Sequence, residues 1–324
     1  MGIRHLNKFF KEKAGDSIKF IPLSGLSGKK IAIDISIYMY KYASEGTLIE
    51  NIYLMLSVFR HYNIIPIFIF DGKPPIEKKE LLQKRRQDKK EAEEEFNKLK
   101  NTLSYNSGID ENEKQDILNS MDMLKRRFVN IRKNDIENVK ELIRAYGATY
   151  YDAPGEADEL CAMLTIKEKV WACLSEDMDM FVYGCPRVIR YLSLLNHTAV
   201  IYDTKGILEN LGISQKELRE ICVLSGTDYN SLNIESKKSP TLYSTLKYYK
   251  KYYKERSNLD FYDWLANNTN YIEDHETLKN IYNIFDLKNG HFDVKNFENI
   301  KISNGPILKE NIISILKTDG FLFC

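Results

Sequence analysis

Ile65-Pro-Ile-Phe-Ile-Phe-Asp71 runs through six apolar residues without a polar break and ends in a carboxylate. The run is too short for an ordinary helix and too continuous for a strand with one wet face. It suits a strand covered on both sides, as in a parallel sheet. Lys30-Ile-Ala-Ile-Asp34 upstream and Val170-Trp-Ala-Cys-Leu-Ser-Glu-Asp177 downstream have the same character. Helix-period patterns lie between them, from Leu48 to Tyr62 and from Asn138 to Tyr146. That alternation predicts an α/β fold, with a mostly parallel central sheet flanked by helices.

Working outward, the stretch from Lys73 to Asn134 interrupts the alternation. It is charged and helix-favouring, with a polar middle from Asn101 to Asp116 that includes Gly108. A helical insertion projecting from the sheet is expected there. After about Thr204 the chain becomes helical and more polar. The expected organisation is an N-terminal region over 1–100, an insertion over 73–134, an internal region over 135–230 and a C-terminal helical region over 205–324. No internal repeat is evident.

The 324 residues carry 47 Lys and Arg against 46 Asp and Glu, a net charge of +1, and 43% are hydrophobic. That length and balance provide for a buried core and exclude disorder, collagen-like repeats and a disulfide scaffold. The longest apolar stretch, Ile64 to Phe70, falls far short of the roughly 20 residues that span a bilayer, so no membrane is expected as partner. The opening Met-Gly-Ile-Arg-His-Leu has no apolar signal core. Five scattered cysteines without a C-x-x-C pair read as reduced thiols of an intracellular protein, nuclear or cytoplasmic, with no targeting signal.

Charge is segregated along the chain. Residues 73–90 sum to +5, 125–133 to +5 and 237–256 to +6, leaving the remainder at −15. Solvated helix faces would produce such clusters, and so would a surface that binds a polyanion while an acidic pocket sits elsewhere.

The acidic side has a pattern. Each of the three apolar runs ends in aspartate: Asp34, Asp71, and Asp177 with Asp179 two residues on. One such residue is usually a turn or cap. Three at the same end of parallel strands share the edge where α/β folds bind ligands. Ala153-Pro-Gly-Glu156-Ala-Asp158-Glu159 reads as a turn opening a helix, where acids also favour the first turn. Leu224-Ser-Gly-Thr-Asp228-Tyr229 adds a Gly-marked turn with another acid. Clustered carboxylates need counter-charge, and an oxygen-only set points to Mg²⁺ or Mn²⁺ rather than zinc. The five histidines have no zinc spacing, and there is no P-loop or G-x-S-x-G. An acidic pocket holding two cations beside basic arms suits phosphodiester hydrolysis.

With these motifs in order, residues 1–235 resemble the flap endonuclease 1 branch of the XPG/RAD2 family of structure-specific 5′ nucleases. The matching pieces include Met1-Gly-Ile3, Ile31-Ala-Ile-Asp34 with Ser36 and Tyr40, and Phe70-Asp-Gly-Lys-Pro-Pro75. Asp152-Ala-Pro-Gly-Glu156-Ala-Asp158, Ser175-Glu-Asp177-Met-Asp179 and Leu224-Ser-Gly-Thr-Asp228-Tyr229 complete them. The resemblance implies a PIN-like 5′ nuclease fold whose helical arch is the 73–134 insertion. It places two Mg²⁺, with Mn²⁺ as substitute, on Asp34, Asp71, Glu156, Asp158, Asp177, Asp179 and Asp228. Asp158 stands where the family usually has Glu, one methylene longer, so contact through water is implied there.

The resemblance also puts two catalytic cations over the scissile phosphate, at Lys78 and Arg85. Their i, i+7 spacing would place both on one helix face. Tyr40 matches an aromatic that stacks on a base near the cut, although core packing would also suit a Tyr after a strand. Gly2 matches a residue close to the DNA junction. Further DNA contacts are expected from Lys73, Arg86, Lys125, Arg126, Arg127, Lys237, Lys238, Lys250 and Lys251.

Two stretches depart from the family. The chain between Asp34 and Asp71 is short for one that carries a helical wedge and a 3′-flap pocket. After Asp228 the family's Gly-Ile-Gly hairpin, which binds duplex backbone and potassium, is replaced by Glu235-Ser-Lys-Lys-Ser-Pro240. Downstream, tyrosines 248, 249, 252 and 253 would share one face of a helix whose lysines lie elsewhere. That pattern serves inward packing, duplex contact, or both. Residues 317–324 show no sliding-clamp peptide pattern.

The expected activity is metal-dependent hydrolysis of flapped or branched DNA in replication and repair by in-line attack of water. The expected protein is a monomer. An exonuclease 1-type 5′–3′ enzyme, an RNase with the same pocket and a non-catalytic junction-binding protein are the alternatives.

Overall fold

A computed structural model of the chain describes residues 3–105, 111–230, 240–255, 258–272, 274–287 and 300–321. The opening helix α1 (Leu6–Lys13) leads to strand β1 (Ile18–Pro22) and then to β2 (Lys30–Asp34). Helices α2 (Ile35–Ser44) and α3 (Leu48–His61) bring the chain back to β3 (Ile65–Phe70). The insertion is a hairpin of α4 (Lys79–Tyr105) and α5 (Glu111–Arg127), with Phe96 and Phe128 in edge contact at 5.4 Å. Helix α6 (Lys133–Ala145) returns to β4 (Thr149–Asp152), and α7 (Ala157–Ile166) to β5 (Ala172–Leu174). Then come α8 (Asp179–Tyr183), β6 (Arg187–Ser193), β7 (Thr198–Asp203), α9 (Thr204–Leu211) and α10 (Gln215–Leu224). The C-terminal part holds α11 (Leu242–Glu255), α12 (Phe261–Asn268), α13 (His275–Ile284) and α14 (Lys309–Thr318). Among the described residues, no helix is long and apolar enough to cross a membrane.

The sheet has strand order β1-β7-β6-β5-β2-β3-β4. Its centre is parallel, with Asp34 of β2 opposite Ile69 of β3 and Ile33 opposite Leu174 of β5. Antiparallel pairing is confined to β1, β7 and β6 at one side. The mostly parallel α/β expectation therefore stands. The run from Val170 is shorter as a strand than its apolar pattern suggests, because Ser175 to Asp177 leave the ladder as a loop. Strands β1, β4, β6 and β7 carry polar or exposed positions, so they lack the continuous apolar signature of the central three.

Two cores cover the two faces. On one, α2, α3 and α6 bury Ile52, Phe59 and Leu142 against Ile31, Ile33 and Phe68, and α14 joins them through Ile312 and Leu316. On the other, α1, α7, α8 and α10 bury Leu6, Leu160 and Phe181 against Ala32 and Ile67. Tyr249, Phe261, Leu265, Ile281 and Phe285 belong to that second core. The expected boundary near residue 205 is thus one of composition: the C-terminal helices share their interior with the sheet.

On α11 the structure buries Tyr249, half-buries Tyr248 and Tyr252, and leaves Tyr253 66% exposed. Of the two readings left open for this helix, inward packing thus holds for three of the tyrosines and not for Tyr253. At 100° per residue the four tyrosines span about 140° of arc, and Tyr253 sits at its edge in the last turn.

Candidate active site

Parallel strands point their C-terminal ends the same way, so Asp34, Asp71 and the Ser175–Asp179 loop meet at one edge. Asp34 is 6% exposed, Asp177 9% and Asp179 2%. Ser175 ties them together: its hydroxyl donates to Asp34 Oδ2 at 3.3 Å and accepts from the Asp177 backbone at 3.1 Å. Asp177 Oδ1 in turn accepts from the Asp179 N–H at 3.0 Å.

Gly72 brings in the other acids. Its N–H donates to Gly155 O at 2.7 Å, and a Cβ there would sit 1.9 Å from the Ala153 carbonyl oxygen. Only glycine allows the loop after β3 to lie against the loop before α7. Asp71 Oδ1 then caps α7 by accepting from Ala157 N at 2.9 Å, which sets Glu156 and Asp158 beside it. Asp228 follows the turn after α10.

Pairwise electrostatic contacts link the seven predicted carboxylates into one chain, from Asp71 through Asp34, Asp177 and Asp158 to Glu156, Asp179 and Asp228. Burial, then Asp71 and Asp177, hold Asp34 above the usual carboxylate range. Burial and Glu156 raise Asp158, and burial, Asp177 and Asp228 raise Asp179. Glu159, next along α7, is pushed up to about 7 by burial and Glu156.

Lys78 and Arg85 reach into this cluster from the base of the hairpin. Lys78 is only 7% exposed, and its Nζ lies 2.8 Å from Glu156 Oε1 and 2.6 Å from Oε2. Burial works against its charge, but Asp158 and Glu156 hold the ammonium above its ordinary value. Arg85 Nη2 lies 2.7 Å from Asp228 Oδ2. One detail differs from the expectation: Lys78 closes a 3-10 turn over Ile76–Lys78, and α4 begins at the next residue.

The donor set fits divalent cations. It consists of oxygens, and Asp179 Oδ1 is buried without a hydrogen-bond partner. Three of the acids resist ionisation where they stand. Among the described residues, no group of three or more His, Cys, Asp or Glu side chains is already placed to hold a metal ion. The two basic side chains instead supply part of the missing positive charge.

Tyr40 is 48% exposed, so it is not core packing, and Lys89 Nζ lies 4.9 Å from its ring centroid. It borders a cavity of about 420 Å³ together with Asp71, Phe70, Lys133 and Lys140. Lys73, Arg86, Lys125, Arg126, Arg127, Lys250 and Lys251 are all exposed. Arg126 pairs with Asp122 at 3.6 Å, and Lys251 pairs with Glu255 at 3.8 Å. Gly2, Lys237 and Lys238, with the rest of the rebuilt loop before Pro240, lie outside the described residues.

Sequence reasoning missed three positioning side chains. Tyr229 donates from its hydroxyl to Glu156 Oε2 at 2.7 Å, carries Lys78 Nζ 4.7 Å from its ring centroid, and meets Phe285 edge-on at 5.4 Å. It links the end of α13 to the acid–base pair. Arg190 is buried behind the aspartate loop, donating to Glu176 O at 2.9 Å, Met178 Sδ at 2.8 Å and Asn7 Oδ1 at 3.1 Å. It ties that loop to α1. Lys89 follows Arg85 by four residues, and that spacing is the signal that could have found it. Tyr229 closes the Leu224–Tyr229 motif beside Asp228, whereas nothing local in the sequence marks Arg190.

Two family profiles match the chain: the XPG N-terminal domain over residues 1–92 and the XPG I-region over 147–228. Flap endonuclease 1 of Trypanosoma brucei gambiense is 32% identical over 251 residues, 71% of this chain and 61% of the relative. Flap endonuclease 1 of Lodderomyces elongisporus is 29% identical over 248 residues, also covering 71% and 61%. The chain thus spans about three fifths of the length of these curated relatives. In structure it is similar to the catalytic core of Rad2 in complex with DNA substrate, at a TM-score of 0.65 and 21% identity over 98% of this chain and 94% of the other. Flap endonuclease-1 from Methanococcus jannaschii superposes at 0.60 with 22% identity, over 93% and 90%. Both likenesses show the fold. From the paired profile matches and the ordered motifs they contain, the chain belongs to the XPG family.

Proposed function

We propose that this chain is a divalent-metal-dependent, structure-specific 5′ nuclease that hydrolyses phosphodiester bonds at flapped or branched DNA. One observation carries the reading: seven carboxylates share a sheet edge, partly balanced by two cations delivered from the hairpin above it. That pairing of an acidic floor with mobile-length basic arms is what a phosphodiester needs, since the acids alone would repel it. The relatives named flap endonuclease 1 and the DNA-bound Rad2 core support the same class of substrate.

Asp34, Asp71, Glu156, Asp158, Asp177, Asp179 and Asp228 would hold two Mg²⁺, with Mn²⁺ as substitute. When bound, the ions supply Lewis acidity for the phosphodiester and lower the pKa of the attacking water. The remaining work falls to the chain. Lys78 leaves Glu156 and turns its ammonium to the phosphate, where it stabilises the charge that develops. Tyr229 keeps Glu156 oriented through its hydroxyl while its ring face offers Lys78 a second resting place. Arg85 leaves Asp228 and forks onto a neighbouring phosphate oxygen. Tyr40, at the rim, stacks on a base next to the cut, which is worth about 1–3 kcal/mol. The exposed Lys125, Arg126 and Arg127 at the end of α5 hold the strand that threads the hairpin.

The test is cleavage of 5′-labelled DNA carrying a single flap, a double flap, a nick or a fork, with Mg²⁺ or with EDTA. Metal-dependent cuts at the flap base are the expected result, and a ladder of short products would instead indicate stepwise 5′–3′ trimming. Tight junction binding with no cleavage in any metal would overturn the enzyme reading.

A further inference from the structure

The opposite end of the sheet carries a cavity of its own. Lys30 begins β2, Arg187 begins β6 and Trp171 precedes β5, so all three sit at strand N-terminal ends, on the order of 15 Å from the acid edge. They open onto a cavity of about 550 Å³ that Lys29, Lys169 and Glu168 also line. Four cations against one carboxylate face that space. Among the described residues, none of the four makes an ion pair. The half-buried indole of Trp171 has Lys29 Nζ at 5.3 Å and Arg187 Cζ at 5.2 Å from its ring. Four cations gathered in one concavity against a single carboxylate, two of them over the Trp171 ring, repel one another, and an anion with a flat group relieves that repulsion.

We infer that this cavity binds a nucleotide unit, its phosphate among Lys29, Lys30, Lys169 and Arg187 and its base against the Trp171 edge of the pocket. The geometry favours this over an acidic peptide. A peptide gains most of its affinity by adding to a free strand edge, and β2, β5 and β6 are paired on both sides. A volume of about 550 Å³ is also generous for a lone inorganic anion and fits a ligand of nucleotide size. The site is independent of the nuclease reading, because it lies at the end of the strands that carries none of the seven acids.

Trp171 is itself the probe, since the chain has two tryptophans and Trp264 is buried in the C-terminal helices. Indole emission would be followed in EDTA while 5′-phosphorylated pentathymidylate, dTMP or pentaglutamate is added to the full chain. Saturable quenching by pentathymidylate, absent in Trp171→Phe and weakened at least tenfold in Lys29→Glu/Arg187→Glu, is the expected result. Its affinity should fall with salt, and the double variant should flatten the log–log slope by about 1.4, the loss of two phosphate contacts. Flap cleavage at saturating DNA should remain within twofold of the parent in both variants. If dTMP quenches as well as the oligomer, the ligand is a free nucleotide; if only the oligomer does, it is a strand. Equal quenching in the double variant, quenching that persists in Trp171→Phe, or pentaglutamate binding as tightly would each overturn the site. Circular dichroism of the variants guards against a folding defect, which a half-buried side chain at 29 and an exposed one at 187 make unexpected.

Discussion

Lys78 and Lys251 both lie over aromatic rings, and they have little else in common. Lys78 sits 4.7 Å from the Tyr229 ring centroid, almost fully buried, with both oxygens of Glu156 within 2.8 Å. Lys251 sits 5.7 Å from the Trp264 ring on the outer face of α11, exposed, with Glu255 one turn away as partner. The contact type is the same, but the surroundings are not. Around Lys78, carboxylates from three separate stretches of chain converge, and water is largely excluded, so each charge is felt strongly. Around Lys251, solvent screens a local i, i+4 pair of little consequence. A functional cation is recognised by which distant segments meet at it.

The comparison breaks first if the acid edge proves dispensable. Asp179→Ala should lower single-turnover cleavage by about a thousandfold or more while junction binding survives, because the variant removes a donor without touching the basic arms. Full activity in that variant would remove the core of the argument. Next come the cations themselves. Lys78→Ala and Arg85→Ala should each cost about a hundredfold or more in cleavage rate with little change in binding, whereas Lys251→Ala should stay within twofold. Comparable losses at Lys78 and Lys251 would erase the distinction drawn between them.

Tyr229 sharpens it further. Tyr229→Phe keeps the ring under Lys78 and loses the hydroxyl on Glu156, so the rate constant should drop by about tenfold at unchanged KM. Tyr229→Leu, which loses both, should drop further. A Phe variant that alters only KM would place Tyr229 in DNA binding rather than in holding Glu156.

The smallest effect is thermodynamic. Without metal, Asp34, Asp158 and Asp179 are held above the ordinary range, by burial and by one another, and Glu159 is pushed up to about 7. Such groups bind protons more tightly in the folded chain than in the unfolded one. Their contribution is fully present below an unfolded value of about 4 and is lost as pH rises through the folded values. In EDTA the melting temperature should therefore be higher near pH 5.5 than near pH 8. Mg²⁺ binds the ionised cluster and should reverse that order, adding about 2.7 kcal/mol at a hundred times its Kd. A melting temperature indifferent to millimolar Mg²⁺ at pH 8 would count against a preformed acidic site.

Much of this was legible beforehand, for identifiable reasons. Asp34, Asp71 and Asp177 could be assigned to one edge because parallel strands share a direction, and continuous apolar runs mark parallel strands. Pro154-Gly155 announced the turn that carries Glu156. Strands β1, β4, β6 and β7 were not legible, since edge positions and antiparallel pairs tolerate polar residues and blur the signal. The tyrosines of α11 were read as one face, and the helix turned Tyr253 away. Segment boundaries drawn from composition missed that α11 to α13 share a core with the sheet.

The sequence alone determined the α/β class and the helical insertion and singled out the candidate acids, because each is written in local periodicity or in a short motif. Only the tertiary structure decided that Lys78 lies on Glu156, that Tyr229 joins that pair to Phe285, that Arg190 of β6 ties the Asp177 loop to α1, and that Lys29 and Arg187 meet over Trp171 at the far end. Those contacts join residues far apart in the chain. Periodicity reports which face a residue takes on its own element. It carries no information on which other element packing will press against that face, and there the chemistry is set.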